Sequence, residues 1–96
     1  MTSKMVKTSH QLERHFKGAA NHWRIDMLLL IAKRDGVTQE EIIEILKGNQ
    51  KTFSAHTTKL VQAGLVNKKY IGRNVLYTLS PYGKHLTRFI KEFSVL

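Results

Sequence analysis

Signals that start and stop helices recur so closely along this chain that they divide it into short segments. Thr8 with Gln11, and Thr38 with Glu41, have the spacing of capping boxes, in which two side chains bond the free N–H groups at a helix start. Such signals at short intervals predict a series of brief helices packed around one core.

Four helices follow from these signals, covering approximately residues 8–18, 21–34, 38–48 and 49–63. Asn21 and Asn49 are the caps of the second and fourth helices, while Gly18, Gly48 and Gly64 stand where the first, third and fourth should end. The second helix is apolar nearly all round, which places it at the centre of the domain. With 96 residues we expect one domain spanning the whole chain, residues 1–8 forming a flexible tail.

The pattern of apolar residues changes after Leu65. Two runs with apolar or aromatic residues at even spacing predict two strands, and the turn-forming residues Gly72, Arg73 and Asn74 between them predict a β-hairpin. Ser80 followed by Pro81 then opens a fifth helix. The fold expected is α+β and mostly helical: a winged helix-turn-helix in the order of four helices, a hairpin wing and a closing helix.

Positive charge is concentrated in the second half of the chain. Residues 49–96 contain eight Lys and Arg but only one acidic residue, Glu92, and the formal net charge of the whole chain is +9. A one-sided positive field suits a polyanion, and nucleic acid is a more frequent partner of a compact basic domain than a membrane surface. Scattered charge that only keeps the protein in solution is the alternative.

The segment from Phe53 to Val66, with Gly72-Arg73 and Tyr77-Thr78-Leu79 after it, resembles the recognition helix and wing of ArsR-type regulators. The resemblance covers roughly residues 10 to 94 and implies a DNA-binding scaffold that dimerises through its terminal helices. Thr57 stands where the family usually has leucine. The Ala-Gly-Leu-Val ending of the segment recurs in several winged-helix families.

The resemblance does not extend to metal sensing. Metal-sensing members use a cysteine pair before the recognition helix, or His and carboxylate ligands on the last helix, and this chain contains no cysteine and only His85 on its last helix. His10, His15 and His22 are separated by five and seven residues, which does not place them on one helical face. We therefore expect no metal and no other cofactor, and expect these three histidines to be bonded or solvent-facing.

The fourth helix carries the predicted recognition surface, and its residue pattern indicates this independently of the family resemblance. Opposite an apolar stripe that begins at Phe53, a helical wheel places short, polar and basic side chains, which allow a helix to sit deep in the major groove. The predicted DNA-binding residues of this helix are Gln50, Lys51, Thr52, Ser54, Ala55, His56, Thr58 and Lys59, and Gln62 shares their face. Ser54 and His56 lie at the edges of the stripe, where a phosphate contact is expected.

The wing adds Lys68, Lys69, Arg73 and Asn74 to the predicted DNA-binding residues. Lysines attract phosphates regardless of base sequence, whereas an arginine at a hairpin tip can enter a minor groove. The alternative for Arg73 is a charged tip that keeps an edge strand from aggregating.

An apolar stripe on the fifth helix predicts a homodimer. Together with two residues of the first helix it exceeds what one small domain covers, although packing within its own domain is the alternative. The predicted dimerisation residues are Leu12, Phe16, Tyr82, Leu86, Phe89, Ile90 and Phe93.

The function expected is therefore a sequence-specific duplex-DNA-binding transcriptional regulator. No phosphate-binding glycine loop, nucleophile elbow or paired-carboxylate site indicates an enzyme. No apolar run is long enough for a membrane span or a signal peptide, so a cytoplasmic location is expected. A winged-helix module that binds protein or RNA without operator specificity is the alternative, since fold alone does not decide use.

Overall fold

The computed structural model describes residues 6–95 of the chain. Its elements are α1 (Ser9–Ala19), α2 (His22–Arg34), β1 (Val37–Thr38), α3 (Gln39–Leu46), α4 (Gln50–Gln62), β2 (Val66–Ile71), β3 (Asn74–Leu79) and α5 (Pro81–Phe93). The predicted order of helices, hairpin and closing helix is confirmed. Of the predicted tail, residues 1–5 lie outside the described part, and Thr8 serves as the cap of α1.

Both predicted capping boxes are present. The Thr8 hydroxyl accepts from the backbone N–H of Gln11 at 3.2 Å, and the Gln11 side chain accepts from the backbone N–H of Thr8 at 2.9 Å. Thr38 and Glu41 repeat the arrangement at 3.2 and 3.0 Å. The same bonds from Thr38, followed by the nearby charge of Arg34, lower the pKa of the Glu41 carboxyl.

Two predicted helix ends are wrong. α1 does not end at Gly18 but continues to Ala19, and Gly18 lies where a Cβ would overlap the side chain of Ala63 on α4. α3 is closed by Lys47, which takes the left-handed conformation with φ 55°, rather than by Gly48. A Cβ on Gly48 would overlap the Phe53 ring. Both glycines are therefore required by close packing against α4.

The centre of the domain is α2, as its apolar pattern predicts. Met27, Leu28 and Ile31 are buried, and the helix contacts each of the other four helices as well as β3. The core around them consists of Ala19, Val37, Ile42, Phe53, Leu60, Ala63, Leu65, Val66 and Tyr77. Asn21 caps α2 through its side-chain oxygen, which accepts from the backbone N–H of Trp23 at 2.9 Å.

The three strands form one antiparallel sheet in the order β1-β3-β2. Strand β1 was not predicted, because two residues are too short to show alternation; its Val37 is fully buried and pairs with Tyr77 of β3. Residues Gly72 and Arg73 form the hairpin turn, and Asn74, predicted as part of the turn, instead begins β3 opposite Ile71. Gly72 supplies the positive φ of 60°.

Helix α5 turns its small residues toward the domain. Ser80 caps it and Pro81 is its first residue, as predicted, and the Ser80 hydroxyl donates to the carbonyl of Gly64 at 2.6 Å. The buried residues of α5 are Gly83, where a Cβ would overlap the Leu65 carbonyl, and Thr87. The aromatic residues Tyr82, Phe89 and Phe93 of this helix remain exposed, whereas Leu86 is half-buried and packs against the core.

None of the helices within residues 6–95 is long and apolar enough to cross a membrane.

Candidate nucleic-acid interface

Helix α4 is fixed to the domain by one side. Phe53, Thr57 and Leu60 are buried on that side, and Asn49 caps the helix by accepting from the backbone N–H of Thr52 at 3.1 Å. Gly64 takes the left-handed conformation after it, with φ 73°, as predicted. Because the buried residues recur at helical spacing, the other side of α4 faces away from the core.

The side chains on that outer side are small, polar or cationic. Exposed there are Gln50, Lys51, Thr52, Ser54, Ala55, Thr58, Lys59 and Gln62. The Thr58 hydroxyl donates to the carbonyl of Ser54 at 2.8 Å. Its hydrogen is therefore used within the helix, and the oxygen is left as an acceptor toward the outside.

Thr57 explains how a polar residue replaces the leucine of the family pattern. It is only 2% exposed, and its hydroxyl lies 3.1 Å from the carbonyl of Ser54 and 3.3 Å from the side-chain oxygen of Gln39 on α3, both as acceptors. The amide nitrogen of the same Gln39 donates to the Ser54 hydroxyl at 3.3 Å. Gln39 thus joins the two helices of the helix-turn-helix, a role that its sequence position does not signal.

His56 is half-buried at the edge of α4 and is held by Arg24 of α2. Arg24 Nη1 lies 3.1 Å from His56 Nδ1. Since a guanidinium only donates, Nδ1 accepts, and the neutral ring carries its proton on Nε2. Burial lowers the pKa of His56 from its ordinary value, and the positive charges of Arg24, His22 and Lys59 lower it further. His56 therefore favours the neutral form, with an Nε2–H available as a donor.

In the wing, the structure separates the two predicted lysines. Lys68 shares a hollow with Thr58 and Gln62 of α4, whereas Lys69 is the next residue along β2 and so lies on the opposite face of the strand. A hydrogen bond with Tyr70 raises the pKa of Lys68, whose ammonium lies 5.2 Å from the centre of that ring. Only Lys68 of the pair is next to the recognition face.

The tip of the wing is exposed. Arg73 occupies the second position of the two-residue turn, and Asn74 follows as the first residue of β3. Apart from Gly72 and its two chain neighbours, no atom of residues 6–95 lies within 4 Å of a Cβ built on Gly72, so the turn projects from the described part of the domain.

The predicted dimerisation residues form a second surface, on α1 and α5. The exposed fractions are 41% for Leu12, 56% for Phe16, 48% for Tyr82, 53% for Phe89 and 63% for Phe93. Leu86 and Ile90 are half-buried. Five of these seven residues, namely Leu12, Phe16, Tyr82, Leu86 and Phe89, line one apolar hollow between the two helices.

The three N-terminal histidines differ. His10 and His22 are exposed, while His15 is buried and its Nδ1 lies 2.7 Å from the carbonyl of Ala63, to which it donates. His15 thus ties α1 to the end of α4, although its Nε2 has no hydrogen-bond partner among residues 6–95. No group of three side chains suited to a metal ion occurs in that range.

Solved structures are similar to this one over most of the chain. HlyU from Vibrio cholerae N16961 is 26% identical, with a TM-score of 0.84 over 96% of this chain and 100% of its own. A homodimeric winged helix-turn-helix DNA-binding domain from Mycobacterium bovis, described as a possible ArsR-family transcriptional regulator, is 23% identical, with a TM-score of 0.82 over 98% and 90% of the two chains. The transcriptional repressor PagR of Bacillus anthracis is 21% identical, with a TM-score of 0.77 over 84% and 93%. No protein-family model and no curated protein matches the chain.

The chain has the fold of the ArsR-type regulators. In that winged helix-turn-helix, α3 and α4 are the two helices of the motif and the β2–β3 hairpin is the wing. Of these neighbours, the PagR structure is described as a transcriptional repressor and the Mycobacterium bovis domain as a possible transcriptional regulator.

Proposed function

We propose that this protein is a homodimeric, sequence-specific regulator of transcription that acts on duplex DNA in the cytoplasm. The observation that carries the proposal is the outer face of α4, where every residue from the predicted set except half-buried His56 is exposed. The likeness of the whole chain to solved transcriptional regulators supports it.

Helix α4 enters the major groove in this proposal. Ser54, Ala55 and Thr58 have short side chains, so the helix axis can approach the base edges closely. The Thr58 oxygen accepts hydrogen bonds from the exocyclic amines of adenine or cytosine, because its own hydrogen is bonded to Ser54. Lys51 and Lys59 bind phosphates at the groove edges, which positions the helix without reading sequence.

The wing holds the DNA beside the groove. Lys68 faces the hollow between α4 and the hairpin, and it binds a backbone phosphate there. Arg73 and Asn74, at the projecting tip, contact the backbone or the adjacent minor groove, and Lys69 contributes to the field from the far side of the strand.

A second copy of the chain covers the apolar face of α1 and α5. Exposed aromatic residues grouped around one hollow are typical of an interface, and the homodimeric neighbour from Mycobacterium bovis supports this arrangement. A two-fold dimer presents two α4 helices, which read a pseudo-palindrome with half-sites about one DNA turn apart.

Selection of bound sequences from random duplexes tests binding and specificity together. We expect a pseudo-palindromic consensus. The logarithm of the affinity for it should fall linearly with the logarithm of the salt concentration. An A-form RNA duplex serves as the control, because its deep, narrow major groove does not admit a helix. Equal binding of RNA and DNA, or recovery of no consensus, would contradict the proposal.

A further inference from the structure

A second basic hollow lies beside α4, and none of the predicted DNA-binding residues except Lys59 belongs to it. It is formed where the end of α1 and the start of α2 meet the end of α4. The side chains that line it are Arg14, Lys17, Arg24, Lys59 and Gln62, over a floor made by Gly18 and Ala63. Among the described residues, no carboxylate lines this hollow.

The cations are brought together by the close contact of α1 with α4. Because Gly18 has no side chain, its backbone packs directly against Ala63, so the last turns of α1 lie next to Lys59 and Gln62. A residue with a Cβ at this position would overlap Ala63 and would push α1 away. The packing of the two helices therefore fixes Arg14 and Lys17 beside the recognition helix.

Arg24 is held in the hollow from the other side. Its Nη1 bonds His56 and its Nη2 bonds the carbonyl of Lys17 at 3.5 Å, while its buried Nε has no partner among residues 6–95. A guanidinium held at two nitrogens keeps a defined orientation and still has donors to spare. The hydrogens left on Nη1 and Nη2 can donate charge-assisted hydrogen bonds to a phosphate.

The charges of this hollow are poorly compensated within the domain. Glu13 pairs with Lys17 at 3.2 Å, but both side chains are largely exposed, so the pair is weak. The positive charges of Arg24 and Lys59 are also among the causes of the lowered pKa of His56. Cations held near each other repel, and an anion bound between them relieves that repulsion.

The position of the hollow beside the outer face of α4 indicates that the anion is a phosphate of the DNA backbone. Gln62 lines this hollow and also the one that Lys68 lines on the wing side, so the two hollows flank the outer face of α4. When a helix lies in the major groove, the phosphate backbones of the two DNA strands run along its two sides. With α4 in the groove as proposed, the wing would lie next to one strand and the basic hollow next to the other.

We propose that Arg14, Lys17 and Arg24, with Lys59, form a second phosphate-binding site that grips the DNA strand on the side of α4 away from the wing. The site rests on the proposed function. It binds the phosphodiester backbone and so contributes equally to all duplex sequences, and it sets how deeply and at what angle α4 sits in the groove.

The salt dependence of duplex binding tests the site. The double variant Arg14→Gln/Lys17→Gln is compared with Lys33→Gln/Lys91→Gln, which removes the same charge from exposed positions on α2 and α5 outside the hollow. The slope of log affinity against log salt is negative, and each lost phosphate contact makes it less steep by about 0.9. Because the proposed dimer carries each substitution in both subunits, four contacts are lost, and we expect the steepness of the slope to fall by about 3.6 in the first variant and to stay that of the unmodified protein in the second.

Two further measurements exclude a purely structural effect. In ethylation interference on the selected duplex, Arg14→Gln/Lys17→Gln should lose the signal from the phosphates of one strand in each half-site and keep the signal from the phosphates next to the wing. Glu13→Gln removes the carboxylate that pairs with Lys17, and it should tighten binding about twofold to all duplexes. Neither a partly unfolded variant nor a loss of packing produces these two results.

The outcomes separate the two proposals. If the unmodified protein binds its selected duplex but Arg14→Gln/Lys17→Gln keeps the slope and the footprint of the control variant, the second site is wrong and the proposed function stands. If the unmodified protein binds no duplex at any salt concentration, both are wrong.

Discussion

Helices α4 and α5 have the same length, 13 residues, but opposite arrangements of large and small side chains. α4 buries Phe53 and Leu60 and leaves Ser54 and Ala55 outside, whereas α5 buries only the small residues Gly83 and Thr87 and leaves its aromatic residues outside. A helix with small outer residues can approach a ligand closely, while one with large apolar outer residues favours being covered.

The two helices should therefore respond differently to salt. The surface of α4 is cationic and its proposed partner is a polyanion, so its binding weakens as salt rises. The surface of α5 and α1 is apolar, and association through it depends on buried area rather than on charge. A salt titration followed by two readouts, DNA binding and subunit association, distinguishes the two surfaces in one sample.

The largest effect is expected on stability, at the point where α5 packs against the rest of the domain. In Gly83→Ala the new Cβ overlaps the backbone carbonyl of Leu65, which cannot move aside as a flexible side chain would. We expect the free energy of unfolding, measured by urea denaturation, to fall by about 3 kcal/mol. Gly72→Ala, at the open hairpin turn with a positive φ, is the matched control and should cost about 1 kcal/mol. Similar losses in the two variants would mean that α5 is not anchored through Gly83.

The next effect concerns the apolar surface alone. Phe89→Asp places a charge in the centre of the proposed interface, and the dissociation constant of the dimer should rise about 100-fold, at low and high salt alike. Sedimentation velocity at tens of micromolar measures it. Lys84→Asp, on another side of α5, is the control and should leave the dimer intact. An unmodified protein that sediments as a monomer at this concentration would contradict the dimer.

On the polar surface, Lys59→Glu should weaken binding to every duplex. Replacing a cation by an anion next to the backbone removes one phosphate contact in each subunit and adds repulsion, so we expect a loss of at least about 10-fold at low salt, shrinking as salt rises. Fluorescence anisotropy with a selected and a random duplex measures both. Equal affinities of the variant and the unmodified protein would show that this side of α4 does not face DNA.

Thr58→Ala should change preference rather than affinity for DNA in general. The substitution removes one acceptor from the outer face and keeps a methyl group, so the ratio of affinities for selected and random duplexes should fall about fivefold. The random duplex is the internal control, since its affinity should not change. A proportionate loss on both duplexes would assign Thr58 a positioning role instead.

The outer face of α4 could be predicted because it depends on one helix only. The cap at Asn49 sets where the helix begins, and the apolar stripe sets its rotation, so a helical wheel assigns each residue to a side. The exposed face of α5 was predicted in the same way. Local signals of this kind also placed both capping boxes and the hairpin.

Features that depend on contacts between distant segments could not be predicted. The basic hollow exists because Gly18 allows α1 to touch α4, and a glycine at that position is equally typical of a helix end, which was the prediction. The bond of Arg24 to His56 joins residues 32 positions apart, and a sequence pattern contains no signal for it. β1 is a similar case, since its two residues become a strand only by pairing with β3.

The smallest effect expected is a dependence of stability and of DNA binding on pH that comes from His56. Burial and the neighbouring positive charges lower the pKa of His56, so below its ordinary value near 6.5 the unfolded chain binds more protons than the folded one. Stability contributed by neutral His56 is therefore complete above pH 6.5 and is lost as the pH falls below it. The Tm should decrease by about 2 °C more in the unmodified protein than in His56→Gln between pH 7.5 and 5.5.

Bound DNA is expected to shift the pKa of His56 in the opposite direction. A phosphate placed beside His56 and Arg24 favours the protonated ring, so the pKa of His56 rises on binding and duplex affinity should increase as the pH falls toward 6. His56→Gln keeps a hydrogen-bonding side chain but cannot titrate, and it should lack this increase. The dimer constant, which depends on residues of α1 and α5, should show the same pH dependence in both proteins. If His56→Gln retains the full increase in affinity, the phosphate does not lie beside His56, and the strand on that side of α4 must follow another path.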